Sequence, residues 1–311
     1  MAIDHRAEIQ RALLAWHREH GMHAPWRESG DPYLTLVAAV MAQQTQISRV
    51  MPSYERFVAA FPTVEMLAAA STGDVIRVWA GMGYNSRAVR LRRAACTVVE
   101  HGWPRDAASL ARIDGIGPFT AAIIASFAFG EPAACVDTNV RRVLGRISGD
   151  EGIDGKPLQL LADEMLAADE PARWNQAVMD YGARVCTIRP RCADCVVSRW
   201  CASRDRYLAP APLLRIAEEH SAYDAAASPA GRPSKPKRET PFAGSARYYR
   251  GRIIDALRSL PPGEALPLAA LPALLANGVA APPAEEIDAL VEALERAGLL
   301  VARDRAISLP D

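Results

Sequence analysis

Apolar residues recur at three- and four-residue spacing through residues 1–205. Ile9-Leu13-Leu14-Trp16, Leu34-Val37-Val40-Met41 and Val50-Tyr54-Phe57-Val58 each trace one face of a helix. The period continues through Val64-Leu67, Val75-Val78-Trp79, Ala88-Leu91-Ala95-Val98, Ala121-Ile124-Phe127 and Val140-Val143-Leu144. Ser71-Thr72-Gly73-Asp74 and Asp106-Ala107-Ala108-Ser109 supply N-cap residues, and Gly81, Gly102 and Gly130 sit where helices should stop. No alternating run bounded by hairpin turns interrupts the pattern. The expectation is an all-α domain over residues 1–205.

The pattern then lapses. Residues 206–246 read as a flexible linker, and 221–246 are rich in Ala, Ser, Pro and Gly. From Arg232 to Arg252 the chain carries Arg232, Lys235, Lys237, Arg238, Arg247, Arg250 and Arg252 against Glu239 alone, either a solubilising run or a strap for phosphates. Periodicity resumes over 247–311, with helices expected at about 248–260, 268–275 and 284–297. Two short strands around a charged turn at 298–309 should follow, an order that suggests a small winged-helix-like module. Its third helix bears Glu285, Glu286, Asp288, Glu292 and Glu295, an unfavourable face for a major groove, so DNA-contacting and protein-contacting or structural roles both stay open.

Composition narrows the class. The chain has 311 residues, 36 Lys+Arg against 36 Asp+Glu, and 50% hydrophobic residues, ordinary for a globular protein with room for two domains. No window is apolar enough to cross a membrane. The start, MAIDHRAEIQRALLAWHREHG, lacks the apolar stretch of a secretory signal. A cytoplasmic location, in a bacterial-type cytosol and nucleoid, is therefore expected, where cysteines are metal ligands or buried thiols rather than disulfides. Nothing points to a coiled coil, and a monomer is expected.

Three local signals carry chemistry. Cys186, Cys192, Cys195 and Cys201 are spaced C-x5-C-x2-C-x5-C, close enough to enclose one metal centre; zinc and [4Fe-4S] both accept four thiolates. Arg184, Arg189, Arg191, Arg199 and Arg204 make this loop basic, whereas Cys96 and Cys135 lie in apolar surroundings and should pack. The run Ile113-Asp114-Gly115-Ile116-Gly117-Pro118-Phe119-Thr120 reads as a tight Gly-x-Gly turn into a helix, a place where backbone amides can meet a phosphate. In Val136-Asp137-Thr138-Asn139-Val140, Asp137 taken locally is an N-cap.

Together these residues resemble the helix-hairpin-helix (HhH-GPD) DNA glycosylases, the endonuclease III/MutY superfamily, over residues 8–205. Ala24-Pro25-Trp26-Arg27, Val40-Met41-Ala42-Gln43-Gln44-Thr45-Gln46, Phe61-Pro62-Thr63, Trp79-Ala80-Gly81-Met82-Gly83-Tyr84 and Asn175–Ala183 look most like the MutY branch. The resemblance implies a two-lobed fold and duplex DNA with a mismatched or damaged base as partner. It makes Gly115 and Gly117 the hairpin turn and, with Phe119 and Thr120 at the start of the helix behind it, residues that bind DNA and take part in base flipping. Asp137 becomes the essential aspartate, Gln43, Gln44 and Tyr84 residues that fill the gap left by an extruded nucleotide, and the four cysteines holders of a [4Fe-4S] cluster.

The sequence also departs from that branch. The glutamate that protonates the departing adenine, two residues before the Met of the Met-x-Gln-Gln-Thr motif, is Ala39 here. The lysine of the bifunctional lyases is Phe119, the first cysteine gap is one residue short, and a winged-helix-like segment replaces the NUDIX-like domain. An aliphatic residue supplies no proton, and general-acid help typically contributes ~10²–10⁴ in rate. The expectation is a monofunctional glycosylase that releases a uracil- or thymine-type base opposite guanine. Two alternatives stand beside it. One is an adenine glycosylase whose acid comes from Glu28, Tyr33 or a water held by Gln44. The other is a non-catalytic iron–sulfur DNA-binding protein.

Overall fold

The helices begin where side chains accept the amides that a helix start leaves unpaired. Asp31 accepts from Tyr33 N at 2.7 Å, Ser71 from Asp74 N at 3.0 Å and Asp106 from Ser109 N at 2.7 Å. Pro25, Pro32, Pro118 and Pro171 stand in first turns, where a missing N–H costs nothing. The computed structural model describes residues 5–208, 242–276 and 280–311.

After α1 (Arg6–His20) come α2 (Pro25–Glu28), α3 (Pro32–Ala42), α4 (Ile47–Ala60), α5 (Val64–Ala69), α6 (Thr72–Val78), α7 (Ser86–His101), α8 (Ala107–Leu110) and α9 (Pro118–Phe129). Helices α2 to α9 close around one core that includes Leu36, Met41, Phe57, Trp79, Leu91, Leu110 and Ile124. A second core, around Val143, Leu161, Trp174 and Tyr181, is built by α10 (Thr138–Ser148), α11 (Gly155–Met165) and α12 (Pro171–Arg184). The chain start returns to this second lobe, since Ile9 and Leu13 of α1 are fully buried in it. The cysteine loop follows and ends at α13 (Arg204–Leu208).

The third core belongs to the C-terminal residues: α14 (Ala246–Ser259), β1 (Leu266–Pro267), α15 (Leu271–Leu275), α16 (Ala284–Arg296), β2 (Val301–Arg303) and β3 (Ala306–Ser308). The strands form an antiparallel sheet in the order β1-β3-β2, with Ile307 opposite both Leu266 and Ala302. Asp304 and Arg305, at φ 50° and 61°, make the tight turn between β2 and β3. The expected hairpin is therefore present, and β1 joins it; two residues, one of them proline, are too few to display a strand period.

This third unit is fastened to the first lobe. Ile76 of α6 and Val89 of α7 are buried in the same cluster as Tyr249, Ile253, Ile254 and Leu257 of α14. Gly73 N donates to Pro310 O at 2.6 Å, and a Cβ at Gly73 would stand 2.8 Å from that oxygen, so only glycine permits the approach. Most of the expected linker, with Arg232, Lys235, Lys237 and Arg238, lies outside the described residues. Arg252 departs from the expected basic strap: its guanidinium bonds Leu274 O at 3.0 and 3.2 Å inside the module, while Arg247 and Arg250 are exposed. Among the described residues no helix is long and apolar enough to cross a membrane.

Candidate active site

Between the first two lobes runs a cleft that both contribute to. The end of α3 supplies Ala38, Ala39, Ala42, Gln43 and Gln44, and the start of α7 supplies Arg87 and Arg90, just after Tyr84. One wall of α9 presents Phe119, Ile123 and Phe127; opposite stand Asp137 and Asn139 at the mouth of α10 and Asp180 of α12. Five of the residues singled out from the sequence, Gln43, Gln44, Tyr84, Phe119 and Asp137, thus share one cavity. Thr120 is buried behind them and takes a hydrogen bond from Gln43 Nε2 at 3.3 Å.

Asp137 both caps α10 and lines the cleft. Its Oδ1 accepts from Asn139 N at 2.9 Å and Val140 N at 2.7 Å, and its Oδ2 accepts from Asn139 Nδ2 at 2.9 Å. The cap fixes the carboxylate against the helix N-terminus, where the dipole favours negative charge. Asn139 is itself held: its Oδ1 accepts from Arg142 at 2.8 Å, and Arg142 Nε donates to Cys186 O at 2.7 Å.

A buried guanidinium ties the two loops facing Asp137 together. Arg87 donates to the carbonyls of Val40 and Met41 at 3.0 Å and Gln43 at 2.6 Å, and to Met82 O at 3.1 Å and Gly83 O at 3.4 Å. Burial lowers its pKa, and the charge of Arg90 adds to this. Beside these carbonyls Gln44 and Tyr84 both adopt positive φ, 54° and 44°, a cost that non-glycine residues carry only where surroundings impose it.

Asp180 is the other carboxylate of the cleft. Arg27 grips it with two nitrogens at 2.8 and 2.9 Å, Met22 N donates at 2.8 Å, and His17 Nε2 stands 3.5 Å away. Burial alone would raise its pKa, but the close approach of His17 and the hydrogen bonds and charge of Arg27 hold it well below the ordinary carboxylate range.

At the turn before α9, Gly115 has φ 91° and its Cα lies so near α7 that a Cβ would meet Arg90 O at 2.8 Å. Ile113 and Ile116 anchor this turn in the core. Gly117 caps α9 in an extended conformation with open space beyond its Cα, so its glycine is explained by bare backbone facing solvent rather than by a special φ.

Residues 37–165 match the family described as HhH-GPD superfamily base excision DNA repair protein. The adenine DNA glycosylase of Mycobacterium tuberculosis (strain H37Rv) is 35% identical over 261 residues, covering 79% of this chain and 77% of the relative. This chain belongs to the HhH-GPD superfamily. The human adenine DNA glycosylase is 37% identical over 213 residues, 63% of this chain and 39% of the relative. Among solved structures, that of a thermostable thymine-DNA glycosylase aligns with a TM-score of 0.62 at 26% identity, over 65% of this chain and 97% of the other. The protein is a DNA N-glycosylase of base excision repair, and the non-catalytic reading is set aside.

The four cysteines of the glycosylase line one small cavity against Val143, Arg146, Ile147 and Tyr181, and all are free thiols. Tyr181 Oη donates to Cys195 Sγ at 3.0 Å, and Arg146 donates to Cys186 Sγ at 3.4 Å. Burial raises the pKa of Cys186, against the opposing pull of Arg146, and pushes Cys201 up to about 11. Among the described residues no three Cys, His, Asp or Glu side chains gather tightly enough for a single ion. The donor set, four thiols around one cavity with two side-chain hydrogen bonds to sulfur, fits a [4Fe-4S] cluster, whose ligands are four cysteine thiolates.

Sequence reasoning passed over Arg87, Asn139, Arg142 and the Arg27–Asp180 pair. Asn139 stood within the Asp137 motif, two positions on, where a side chain can reach back to a cap; Arg142 holds Asn139 but also bonds Cys186 and Gly182 far along the chain, and Arg87 and the Arg27–Asp180 pair join segments that no local pattern links.

Proposed function

We propose that this glycosylase is monofunctional and releases a base that departs as a delocalised anion, of the uracil or thymine type, from a mispair with guanine. The observation that supports it most is the composition of the cleft. Among the described residues its carboxylates are Asp137 and Asp180, and Asp180 is locked to Arg27 and stays ionised. Ala39 lines the cleft where an acid would be needed. Two of the three alternative acids point elsewhere: Glu28 pairs with exposed His23 at 3.0 Å, and Tyr33, whose pKa burial raises, donates to Phe61 O at 2.5 Å. Adenine leaves poorly without protonation, whereas uracil and thymine carry the departing charge on their own carbonyl groups.

In this reading Asp137 acts on the sugar. Breaking the N-glycosidic bond develops positive charge at the anomeric carbon, and an ionised carboxylate held by Asn139 and the α10 amides lowers the energy of that state without reorganising. Gln43, Gln44 and Tyr84 occupy the space vacated in the duplex, Gly115 and Gly117 present amides to the phosphate backbone, and Phe119 and Thr120 support the cleft wall. The described residues place no lysine in the cleft for a Schiff base: of the chain's three lysines, Lys156, Lys235 and Lys237, only Lys156 is described, and it does not line the cleft. Cys186, Cys192, Cys195 and Cys201 would hold a [4Fe-4S] cluster, which would brace the basic loop toward DNA.

A second reading, adenine release, is favoured by the names of the relatives, which are adenine DNA glycosylases. Duplexes bearing U:G, T:G, A:G and A:8-oxoguanine, assayed for free base and separately for alkali-revealed abasic sites, decide between them. Faster release of uracil or thymine is the expected result. Adenine release at equal or greater rate overturns the first reading, and strand cleavage without alkali overturns the monofunctional assignment.

A further inference from the structure

The C-terminal module touches the glycosylase at the loop carrying Tyr84. Arg247, in the first turn of α14, lays its guanidinium 4.7 Å from the centre of the Tyr84 ring, and Arg87 approaches the same ring from the protein at 5.5 Å. Arg258, three turns on, donates to Asn85 Oδ1 at 2.8 Å and to Ile76 O at 2.9 Å. The module therefore holds both Tyr84 and the residue after it. Tyr84 is 46% exposed in a left-handed conformation, so its ring would wander without such supports.

The charges on the module are segregated. Its acidic helix, α16, carries Glu285, Glu286, Asp288, Glu292 and Glu295 against Arg296 alone at its end, whereas the exposed charged residues of the α14 start are Arg247 and Arg250. Arg90, also exposed, continues this basic strip into the cleft. A winged helix that used its third helix to read a groove would turn the acidic face to phosphate; here the first helix stands beside the strand-separating tyrosine instead.

We propose that the module is part of the DNA-opening apparatus: Arg247 and Arg258 brace Tyr84 as a wedge, and exposed Arg247 and Arg250 contact the phosphates of the duplex beside the extruded nucleotide. This rests on the glycosylase reading of Tyr84 given above. Guanidinium groups stacked on an aromatic ring stiffen it at little entropic cost, and each phosphate neutralised adds about 0.9 to the salt slope of binding.

The test uses the full chain. Binding to an undamaged duplex and to one carrying a stable abasic analogue is measured across a salt series for the wild type, the Arg247→Ala/Arg250→Ala double variant and Arg296→Ala on α16. The double variant should lose about 1–2 from the slope of log K against log salt with unchanged Tm, and Arg296→Ala should match the wild type. A duplex with 2-aminopurine beside the mispair reports unstacking; Arg258→Ala and Arg247→Ala should each lower the fluorescence rise several-fold at saturating protein. Arg247 is exposed, so its variant is informative even if Arg258→Ala unfolds. Wild-type slope and fluorescence in the Arg247 variants overturn the role of the module. A wild type that neither binds with a salt slope nor unstacks the probe overturns the wedge assignment of Tyr84 instead.

Discussion

Asn139 donates its side-chain N–H to Asp137 Oδ2 at 2.9 Å while its own amide oxygen is held by Arg142 at 2.8 Å. The amide can point only one way, so the carboxylate that faces the cleft is oriented from behind by a residue two positions along the same helix. One side chain thus both caps α10 and faces the cleft.

That dual role separates chemistry from folding. Asparagine is as good an N-cap as aspartate. Asp137→Asn should keep its Tm within a few degrees and its affinity for duplex, while single-turnover base release falls by on the order of 10²–10³-fold, the usual worth of one preorganised electrostatic contact. Unchanged release would remove Asp137 from the reaction.

Ala39 offers the converse experiment. Ala39→Glu places an acid in the cleft at the end of α3. Adenine release from A:G and A:8-oxoguanine duplexes should rise by at least tenfold, with a new acidic limb in the pH–rate profile. A wild type already fast on adenine, unaffected by the substitution, would mean that protonation comes from another source.

Arg87 should be needed for stability as well as for shape. Its removal takes this donor from the inward-facing carbonyls of Val40, Met41 and Met82, whereas Gln43 O keeps Thr45 Oγ1, and Arg87→Ala should cost about 2–4 kcal/mol, read by urea denaturation. Arg87→Lys keeps the charge but not the fork and should recover less than half of that loss. Full stability in Arg87→Lys would show that charge alone holds the loops.

The Asp180 pair predicts an acid limb in stability. Its carboxyl pKa is depressed in the folded state, so the stabilisation is complete above the unfolded value of about 3.9 and is lost as pH falls below it. Thermal unfolding followed from pH 6 downward should therefore steepen below about pH 4. Asp180→Asn should be less stable at neutral pH and should show a flatter acid limb; parallel curves would contradict the assignment.

The cysteine loop is tested without any assay of activity. The purified protein should be brown, absorb near ~400 nm and contain about four irons per chain. Cys192→Ser should lose most of that iron and melt at lower temperature. Zinc in place of iron would overturn the cluster.

Much of this was legible in the sequence because the signals are local. The helices announce themselves by period, the cysteines sit within one loop, and the Gly115–Gly117 turn and the Asp137 cap are contiguous. Arg87 was not legible: an arginine early in a helix reads as a surface residue, and its acceptors near Gln43 lie 44–47 positions earlier. Arg27 and Asp180 are 153 positions apart. β1 is too short for any pattern. The docking of the module depends on Ile76 and Val89, whose periodicity fits the lobe's own core equally well.

The burial of Ile76 and Val89 by α14 has a practical corollary. Trimming the protein to its catalytic lobes, by ending it after Leu208, would put two aliphatic side chains into water and leave the Gly73 amide without Pro310. The smallest soluble fragment with full activity should therefore extend past α16 as far as Pro310, one residue before exposed Asp311.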